Sequence, residues 1–581
     1  MIKKLATFIK EYKKDAILTP FFVVLEVIME VLIPFLMAKI IDVGIYGSDV
    51  SYIIKIGTFL ILAAIMSLLF GMLSGRYAAK ASAGFAKNLR QAMFYKVQDY
   101  SFENINKFST SSLVTRMTTD VTNVQMAFQM VIRTLVRGPL MMVFALLMVL
   151  TISPKLALIF LIAIPFLGAI LIYIALKAHP NFERVFKKYD ALNRVVQENV
   201  QAIRVVKAYV REDYEEEKFK KANDDVYKNF KAAEKIIAFN SPAMQLTIYT
   251  CILCISWIGS NLIVGNSMQT GELSTMISYA WQILASLMML SMVFVMIIMA
   301  TSSAERILEV IEETPSIKNK KNALKEVKNG SIEFKHVDFV YNDEQEKNKY
   351  ALKDINLKIK SGETIGIIGG TGSSKSSLVQ LIPRPYEATH GEVLVGGKNV
   401  KDYDLHALRD AVSMVLQKNV LFSGTIAENL RWGKKDATDE ELEEACKLAQ
   451  ADAFIKEFPS KYETVLDQGG TNVSGGQKQR ICIARALLKK PKILILDDST
   501  SAVDTKTDAL IRDAFRQKIP HTTKLIIAQR ITSVMDADRI IVLQNGQING
   551  VGTHEELLKK NQIYREVYES QMKGVEQSEK R

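Results

Sequence analysis

Two acidic side chains follow a continuous apolar run near the end of the chain, where Ile493–Leu496 precedes Asp497 and Asp498. Such a run is typical of a buried parallel strand, and open α/β sheets place their ligands at the carboxyl ends of these strands. Just upstream, the SGGQ turn at 474–477 opens a segment with helical apolar spacing. A helix start presents free backbone N–H groups and the positive end of the helix dipole, so it can hold phosphate oxygens. The sequence therefore predicts phosphate chemistry.

A second phosphate-binding pattern lies earlier in the chain. Thr364–Ile368 has the pattern of a buried strand, and the glycine-rich turn GGTGSSKSS and an apolar helix start follow it. Together these form a P-loop, in which backbone N–H groups cradle phosphates, Lys375 reaches the β- and γ-phosphates and Ser376 ligates Mg²⁺. Ser374 stands at the last glycine position of the GxxxxGK[ST] pattern, where its side chain would crowd the phosphate. We expect ATP and Mg²⁺ as cofactors.

Composition separates the chain into two parts. Its 581 residues are 49% hydrophobic and 23% charged, with a net charge of +12, and the long uncharged runs lie before about residue 300. Much of the Lys and Arg flanks these runs, so membrane topology explains the basic balance better than nucleic-acid binding, and we expect no nucleic-acid partner. Cys251 and Cys254 form a C-x-x-C inside an apolar run, which lacks the soluble βαβ context that a redox site requires.

Six apolar stretches are near the ~20 residues that cross a bilayer. They lie at about 17–40, 53–74, 138–153, 156–177, 243–265 and 275–300, after an amphipathic, interfacial segment at 1–14. Segments 41–52 and 266–274 contain no Lys or Arg, whereas the long segments 75–137 and 178–242 are rich in both. By the positive-inside rule, the long segments and both termini are cytoplasmic. We expect the protein to lie in the cell membrane.

These patterns predict an α-helical membrane domain plus an α/β P-loop nucleotide-binding domain. The membrane domain, at 1–315, would have six transmembrane helices with long cytosolic extensions, because the long loops show helical periodicity. A basic linker at 316–330 and the nucleotide-binding domain at 331–581 would follow.

Two features inside the spans allow alternative interpretations. Glu26 and Glu30 lie four residues apart, hence on one helical face. Ionisable groups in a membrane are functional candidates by default, so they could contact cargo, but they could equally pair with a neighbouring helix. The last span has a methionine stripe that suits either adaptable binding or simple helix packing, formed by Met288, Met292, Met296 and Met299.

The motifs carry a family resemblance. SGGQ, ILILDD and SAVD resemble the signature, Walker B and D-loop motifs of ATP-binding-cassette (ABC) proteins. With six spans and two long intracellular hairpins, essentially the whole chain resembles one half of an exporter-type ABC transporter. The resemblance implies short coupling helices at the hairpin tips, which dock on the ATPase domains. The matching stretches are about Arg116–Val121 and Val206–Glu212.

The resemblance also assigns site residues. It implies that Tyr341 stacks on adenine, that Gln417 contacts the metal and water, and that Asp498 and Gln529 stand at the positions of the catalytic carboxylate and the switch histidine. The expected catalytic residues are Lys375, Asp497, Asp498 and Gln529, and the expected Mg²⁺ ligands are Ser376, Gln417 and Asp497. The expected ATP contacts are Tyr341, Gly369, Gly370, Thr371, Gly372, Ser373, Ser374, Lys375, Ser376, Ser377, Gln417, Ser474, Gly475, Gly476, Gln477 and Asp504.

Departures from the family pattern predict a slow site. Asp498 is one methylene shorter than the family's glutamate, and Gln529 cannot become a cation as histidine can. A 1 Å misplacement costs about 10²-fold in rate. In this family, one chain's signature closes over the other chain's P-loop. The chain thus resembles the degenerate-site subunit of heterodimeric bacterial multidrug exporters, with a second half-transporter that carries the Glu and the His.

Other interpretations stay open. The departures could be harmless drift in an active homodimer. The cargo could be an amphipathic small molecule, or a lipid or a peptide moved by the same engine. An ATP-gated channel or a regulatory membrane receptor that does not pump would share the same motifs.

Overall fold

A computed structural model describes residues 1–341, 350–499 and 502–579. The chain forms two compact units. The first comprises Met1–Gln98 and Ser109–Glu313, and the second comprises Asp99–Phe108 and Thr314–Arg581. One short segment from the N-terminal half of the sequence therefore belongs to the C-terminal unit.

Helices are the only regular secondary structure among the described residues of the first unit, and short turns join them. Its helices are α1 (Ile2–Ala6), α2 (Lys13–Lys39), α3 (Val50–Gln98), α5 (Thr110–Thr115), α6 (Val121–Ile152), α7 (Pro154–Gln201), α8 (Ile203–Ala208), α9 (Glu212–Ile237), α10 (Asn240–Val264) and α11 (Thr270–Glu312), and α4 (Phe102–Phe108) lies in the second unit. Thr7–Tyr12 is a 3₁₀ turn, and Ile40–Ile45 and Arg116–Asp120 are π-helical.

Six helical stretches of the described chain are long and apolar enough to cross a membrane, which confirms the predicted number of spans. They are Ile2–Ile45, Val50–Gln98, Thr110–Ile152, Pro154–Gln201, Glu212–Val264 and Thr270–Glu312. With 49 residues at 1.5 Å each, α3 is about 74 Å long, more than twice the hydrocarbon thickness of a bilayer. The predicted helical extensions beyond the spans are therefore present.

The tip of the first hairpin is not where the sequence placed it. The stretch 116–121, predicted as a coupling helix, lies in the first unit, where Arg116 donates to the Arg306 carbonyl at 2.9 Å and Asp120 accepts from the Arg306 guanidinium. The tip is instead α4, between α3 and α5. At the second hairpin, α8 overlaps the predicted stretch and begins three residues before it.

The second unit contains two main sheets. The four-stranded antiparallel sheet has the order β2-β1-β4-β5, and the six-stranded sheet has the order β12-β11-β3-β10-β9-β6, with its last five strands parallel. The strands are β1 (Ile332–Val340), β2 (Tyr350–Ile359), β3 (Thr364–Gly369), β4 (His390–Val395), β5 (Lys398–Asn399), β6 (Val412–Val415), β7 (Gly424–Thr425), β8 (Val465–Leu466), β9 (Ile493–Asp497), β10 (Thr523–Ile527), β11 (Arg539–Gln544) and β12 (Gln547–Gly552).

Helices cover one face of the six-stranded sheet, and the four-stranded sheet packs with α12 (Lys375–Gln380) on the other, so the central strands are buried on both faces. Ile493 and Ile495 of β9 belong to one hydrophobic core, and Leu494 and Leu496 belong to the other. This explains the continuous apolar run in the sequence. The helices are α12 (Lys375–Gln380), α13 (Leu405–Ala411), α14 (Ile426–Arg431), α15 (Asp439–Leu448), α16 (Asp452–Glu457), α17 (Gly475–Leu488), α18 (Thr505–Lys518), α19 (His554–Lys560) and α20 (Gln562–Glu579). The predicted fold class is confirmed.

Candidate functional site

Three neighbouring parallel strands end at the same edge of the sheet and deliver the polar residues predicted from the sequence. The P-loop follows β3, Asp498 follows β9, and Gln529 follows β10. Ser376 Oγ donates to Asp497 Oδ1 at 3.0 Å, so the P-loop helix and β9 meet directly. Open α/β sheets bind ligands at this edge.

The P-loop lysine folds over its own loop. Lys375 Nζ donates to the carbonyl oxygens of Gly369 at 2.8 Å and Gly370 at 3.0 Å. Burial lowers the pKa of the Lys375 ammonium, and the charges of Asp497 and Asp498 partly oppose that shift. A partly desolvated cation at a glycine-rich turn before a helix is suited to bind the phosphates of a nucleotide.

Ser374 adopts a left-handed backbone conformation, with φ 68° and ψ 30°. The P-loop requires this conformation at its last glycine position, because the chain turns there from the loop into α12. A residue with a Cβ pays about 1–2 kcal/mol to adopt it. The serine therefore adds local backbone strain as well as a side chain near the phosphate.

We expect Ser374→Gly to raise the stability of the chain slightly, by roughly 0–1.5 kcal/mol. Relief of the strain, about 1–2 kcal/mol, exceeds the extra entropy that glycine loses on folding, about 0.5–1 kcal/mol. ATP should also bind more tightly, because no side chain crowds the phosphate. Thermal unfolding and ATP titration measure both effects.

Ser373→Gly is the matched control, because Ser373 is outside the set of left-handed residues, so it should only destabilise. If Ser374→Gly and Ser373→Gly destabilise the chain equally, the proposed backbone strain at Ser374 is wrong.

Asp498 is buried and its carboxylate is bonded by two amides. Its Oδ2 accepts from Gln529 Nε2 at 2.7 Å and from Gln417 Nε2 at 3.5 Å. Burial raises the pKa of the Asp498 carboxyl, and these hydrogen bonds partly oppose the shift. Burial also raises the pKa of Asp497, against the hydrogen bond from Ser376. Two neighbouring, desolvated carboxyl groups favour the binding of a cation.

The donor set fits Mg²⁺. Ser376 and Asp497 are hydrogen-bonded to each other, and Gln417 reaches the neighbouring Asp498. All three offer oxygen donors, which Mg²⁺ prefers, and it is usually held by one or two carboxylates together with substrate phosphates. These residues would hold the ion that neutralises charge on the transferring phosphoryl group.

A residue that the sequence did not reveal fixes the loop after β10. Gln571, in α20, donates from Nε2 to the Gln529 carbonyl at 2.8 Å, and its Oε1 accepts from Ile531 N–H at 2.9 Å. This side chain holds the backbone that carries Gln529. It belongs to no motif and lies 42 residues after Gln529, so only the folded chain brings them together.

Tyr341 lies beside the P-loop helix. Its hydroxyl is hydrogen-bonded to Ser377 Oγ at 2.8 Å, with either group able to donate. Its ring is half-buried and packs edge-on against Phe339, at 4.6 Å between centroids, and Tyr386, at 5.3 Å. Burial raises the pKa of the Tyr341 hydroxyl. The ring is thus fixed next to the loop that would hold the phosphates.

The signature turn caps α17. Ser474 Oγ accepts from Gln477 N–H, and the Gln477 side chain accepts from Ser474 N–H, which forms a capping box. Ser474 and Gly475 are exposed. A Cβ on Gly476 would lie 2.8 Å from the Ala502 carbonyl oxygen, so only glycine fits there.

The D-loop lies between β9 and α18, after the signature helix in the sequence. Asp504 caps α18 by accepting from Thr507 N–H at 2.9 Å, and hydrogen bonding to Thr507 lowers the pKa of its carboxyl. Ser501 of the SAVD motif lies outside the described residues.

The two glutamates of the first span pair with a neighbouring helix. Arg137 Nη1 lies 3.1 Å from Glu26 Oε1, and Arg137 Nη2 donates to Glu30 Oε2 at 2.7 Å. Ser74 Oγ also donates to Glu26 Oε2 at 3.0 Å. Of the two interpretations open from the sequence, these contacts favour structural pairing over cargo contact.

Three of the four methionines of the stripe are exposed, and Met296 is half-buried. Met292 is 70% exposed, and Met288 and Met299 are 43% and 44% exposed. Met299 also lines a cavity of about 700 Å³ in the first unit. About half of the residues that line this cavity are polar, among them Asn123, Asp190, Asn240 and Arg306. Three of the four methionines are thus available to lipid, cargo or a partner chain.

Comparisons with known proteins cover nearly the whole chain. Residues 16–302 match the family model of the ABC transporter transmembrane region, and residues 352–501 match that of the ABC transporter. The chain is 40% identical over 578 residues to the ABC transporter ATP-binding protein YfiB of Bacillus subtilis (strain 168), covering 100% of both.

A second relative and a solved structure extend these matches. The chain is 33% identical to an ATP-dependent lipid A-core flippase of Hahella chejuensis, covering 86% of this chain and 84% of the flippase. A bacterial Atm1-family ABC exporter with ATP bound has the same fold, with a TM-score of 0.83 and 22% identity, over 97% of this chain and 98% of that one.

Proposed function

This chain belongs to the ABC transporter family, as an exporter-type half-transporter with ATPase activity coupled to transport, and from that premise we propose that it is the slow-site subunit of a heterodimer. Its own P-loop would hold ATP and Mg²⁺ in a site of low turnover. Its signature would complete the fast site of a partner that carries a Walker B glutamate and a switch histidine. It would lie in the cell membrane with both termini in the cytoplasm.

The contact between Asp498 and Gln529 carries this proposal. Hydrolysis needs a group that orients the attacking water and groups that stabilise charge on the γ-phosphate. The short Asp498 side chain is already engaged by an amide donor at 2.7 Å. The amide of Gln529 supplies a hydrogen bond but no positive charge. Both substitutions therefore affect the same few atoms, and they act in the same direction.

The exposure of Ser474 and Gly475 supports action in trans. The capping box orders the start of α17, and a helix start with exposed small residues can offer backbone N–H groups to a phosphate. A second half-transporter with its own P-loop would cover this surface.

For cargo, we propose an amphipathic small molecule that enters from the inner leaflet or the cytosol. The exposed methionines supply an adaptable apolar surface, and the cavity of about 700 Å³ is lined by both apolar and polar side chains, which suits an amphipathic molecule. Because Arg137 pairs with both Glu26 and Glu30, we do not propose that these glutamates contact a cationic cargo. A lipid is the second candidate, favoured by the 33% identity to a lipid A-core flippase.

We expect the purified chain without a partner to bind ATP and to hydrolyse it very slowly. Mg²⁺-dependent phosphate release measures turnover, and a fluorescent ATP analogue measures binding. Lys375→Ala is the control that should abolish binding, because the lysine is the cation that reaches the phosphates. Turnover of about 1 s⁻¹ or more by the chain alone, which is ordinary for an enzyme, would contradict the slow site and favour an active homodimer.

A further inference from the structure

The hairpin tip is fixed within the second unit by buried polar contacts. Asn104 Nδ2 donates to the Thr314 carbonyl at 3.1 Å, and Asn104 Oδ1 accepts from Ser316 N–H at 3.1 Å. The Asn104 side chain is buried, as are the stacked rings of Tyr100 and Phe108, 5.8 Å apart. Helix α4 is therefore held in place by Thr314 and Ser316, and we call this binding position the seat of α4.

One tyrosine connects this seat to the nucleotide site. Asn106 Nδ2 donates to the Tyr386 hydroxyl at 3.0 Å, and the Phe102 ring packs edge-on against Tyr386 at 6.0 Å. On its other side, Tyr386 packs edge-on against Tyr341 at 5.3 Å and 85°. Tyr341 in turn is hydrogen-bonded to Ser377 of the P-loop helix. The contacts run without a gap from α4 to the P-loop.

The loop that carries Tyr386 is fixed. Arg384 is buried and donates to Glu387 Oε1 at 2.8 Å from Nε. Arg409 donates to the carbonyl oxygens of Pro383 at 3.3 Å and Arg384 at 3.1 Å. A rigid loop transmits a shift of the Tyr386 ring to its neighbours, because closely packed side chains have few alternative arrangements.

We propose that Tyr386 is a positioning residue that couples the seating of α4 to the base-binding side of the ATP site, through Tyr341. When α4 is seated, Asn106 and Phe102 hold Tyr386, and Tyr386 holds Tyr341 at the position where adenine stacks. By linkage, bound ATP then stabilises the seated tip to the same extent. The inference rests on the adenine contact proposed for Tyr341.

The test compares ATP with inorganic tripolyphosphate, which has phosphates and no base. Binding of each to the purified full chain in nanodiscs is measured by calorimetry, for the wild type, Asn106→Ala and Tyr386→Phe. Both changes remove one hydrogen bond and keep the rings, so each should weaken ATP about 2- to 10-fold and leave tripolyphosphate unchanged. The double variant should be no weaker than the singles, because they remove the same bond.

Two controls make the result decisive. Tyr403→Phe removes another tyrosine hydroxyl of this unit, which donates to the Val395 carbonyl, and should alter neither ligand. Tyr341→Ala tests the adenine contact itself and should bring ATP affinity to the level of tripolyphosphate. If Tyr341→Ala has no effect, the proposed adenine contact is wrong. If Tyr341→Ala weakens ATP binding but Asn106→Ala and Tyr386→Phe do not, the coupling through Tyr386 is wrong. It is also wrong if Asn106→Ala and Tyr386→Phe weaken the binding of ATP and tripolyphosphate equally.

Discussion

Gly475→Asp should abolish ATP-driven transport by the assembled pair. Gly475 is exposed at the start of α17, where the signature would meet the γ-phosphate bound by the partner. A carboxylate there repels the phosphate and occupies the space next to the donor groups. Loss of one preorganised donor at a transition state costs about 10²- to 10³-fold in rate. We expect steady-state ATPase and transport of the purified pair to fall by at least that factor.

The same structure indicates that this change leaves the fold intact. A Cβ on Gly475 lies 3.5 Å from the Ala502 Cβ, an ordinary contact, whereas one on Gly476 would collide with the Ala502 carbonyl oxygen. Gly475→Ala is therefore the matched control, with a smaller loss of ATPase activity and transport.

Asp498→Asn should lower the ATPase activity of the pair only modestly, because it alters the site that already turns over slowly. Tolerance of Gly475→Asp together with inactivation by Asp498→Asn would reverse the two roles.

Arg137→Met should destabilise the membrane domain by about 3–5 kcal/mol. The change leaves Glu26, which is 6% exposed, and Glu30 without their cation inside the helix bundle. Breaking one side of a buried ion pair has a cost of this size, because a buried charge remains uncompensated. Thermal unfolding of the purified chain in nanodiscs measures the loss.

A charge-free replacement should restore stability. In the triple variant Arg137→Met, Glu26→Gln and Glu30→Gln, no unpaired charge remains, and replacing all members of a buried ion pair is often neutral. Arg133→Met is the matched control one turn away on α6, because Arg133 makes a hydrogen bond of 3.5 Å to the Gly71 carbonyl and not an ion pair with Glu26 or Glu30 among the described contacts. Equal losses for Arg133→Met and Arg137→Met, or a triple variant no more stable than the single, would contradict the pairing.

Local patterns were enough to predict the fold class. Apolar runs show the spans because a bilayer requires about 20 apolar residues. The run at 493–496 shows a central strand because both of its faces are buried. The position of α4 was missed, since a seven-residue helix has little periodicity and its seat consists of residues far along the chain.

In the site, motifs identify residues but not their contacts. GGTGSSKSS indicates Lys375 and Ser376 directly, because strand, turn and helix are consecutive in the sequence. The pattern also shows that Ser374 replaces a glycine, but its left-handed backbone is seen only in the structure. Nothing local indicates Gln571 or Tyr386, since their partners are reached only through tertiary packing. For the same reason Arg137 was not foreseen as the partner of Glu26 and Glu30.

The seat of α4 also constrains the biogenesis of the protein. Asn106 and its partner Tyr386 are 280 residues apart in the chain. At about 5–20 residues per second, a ribosome needs about 14–56 s to synthesise that interval. Throughout this time the rings of Tyr100 and Phe108 have no completed seat, although the first spans have already been made. The nascent chain therefore passes through a long-lived stage with an exposed apolar hairpin tip, a target for chaperones and for membrane proteases.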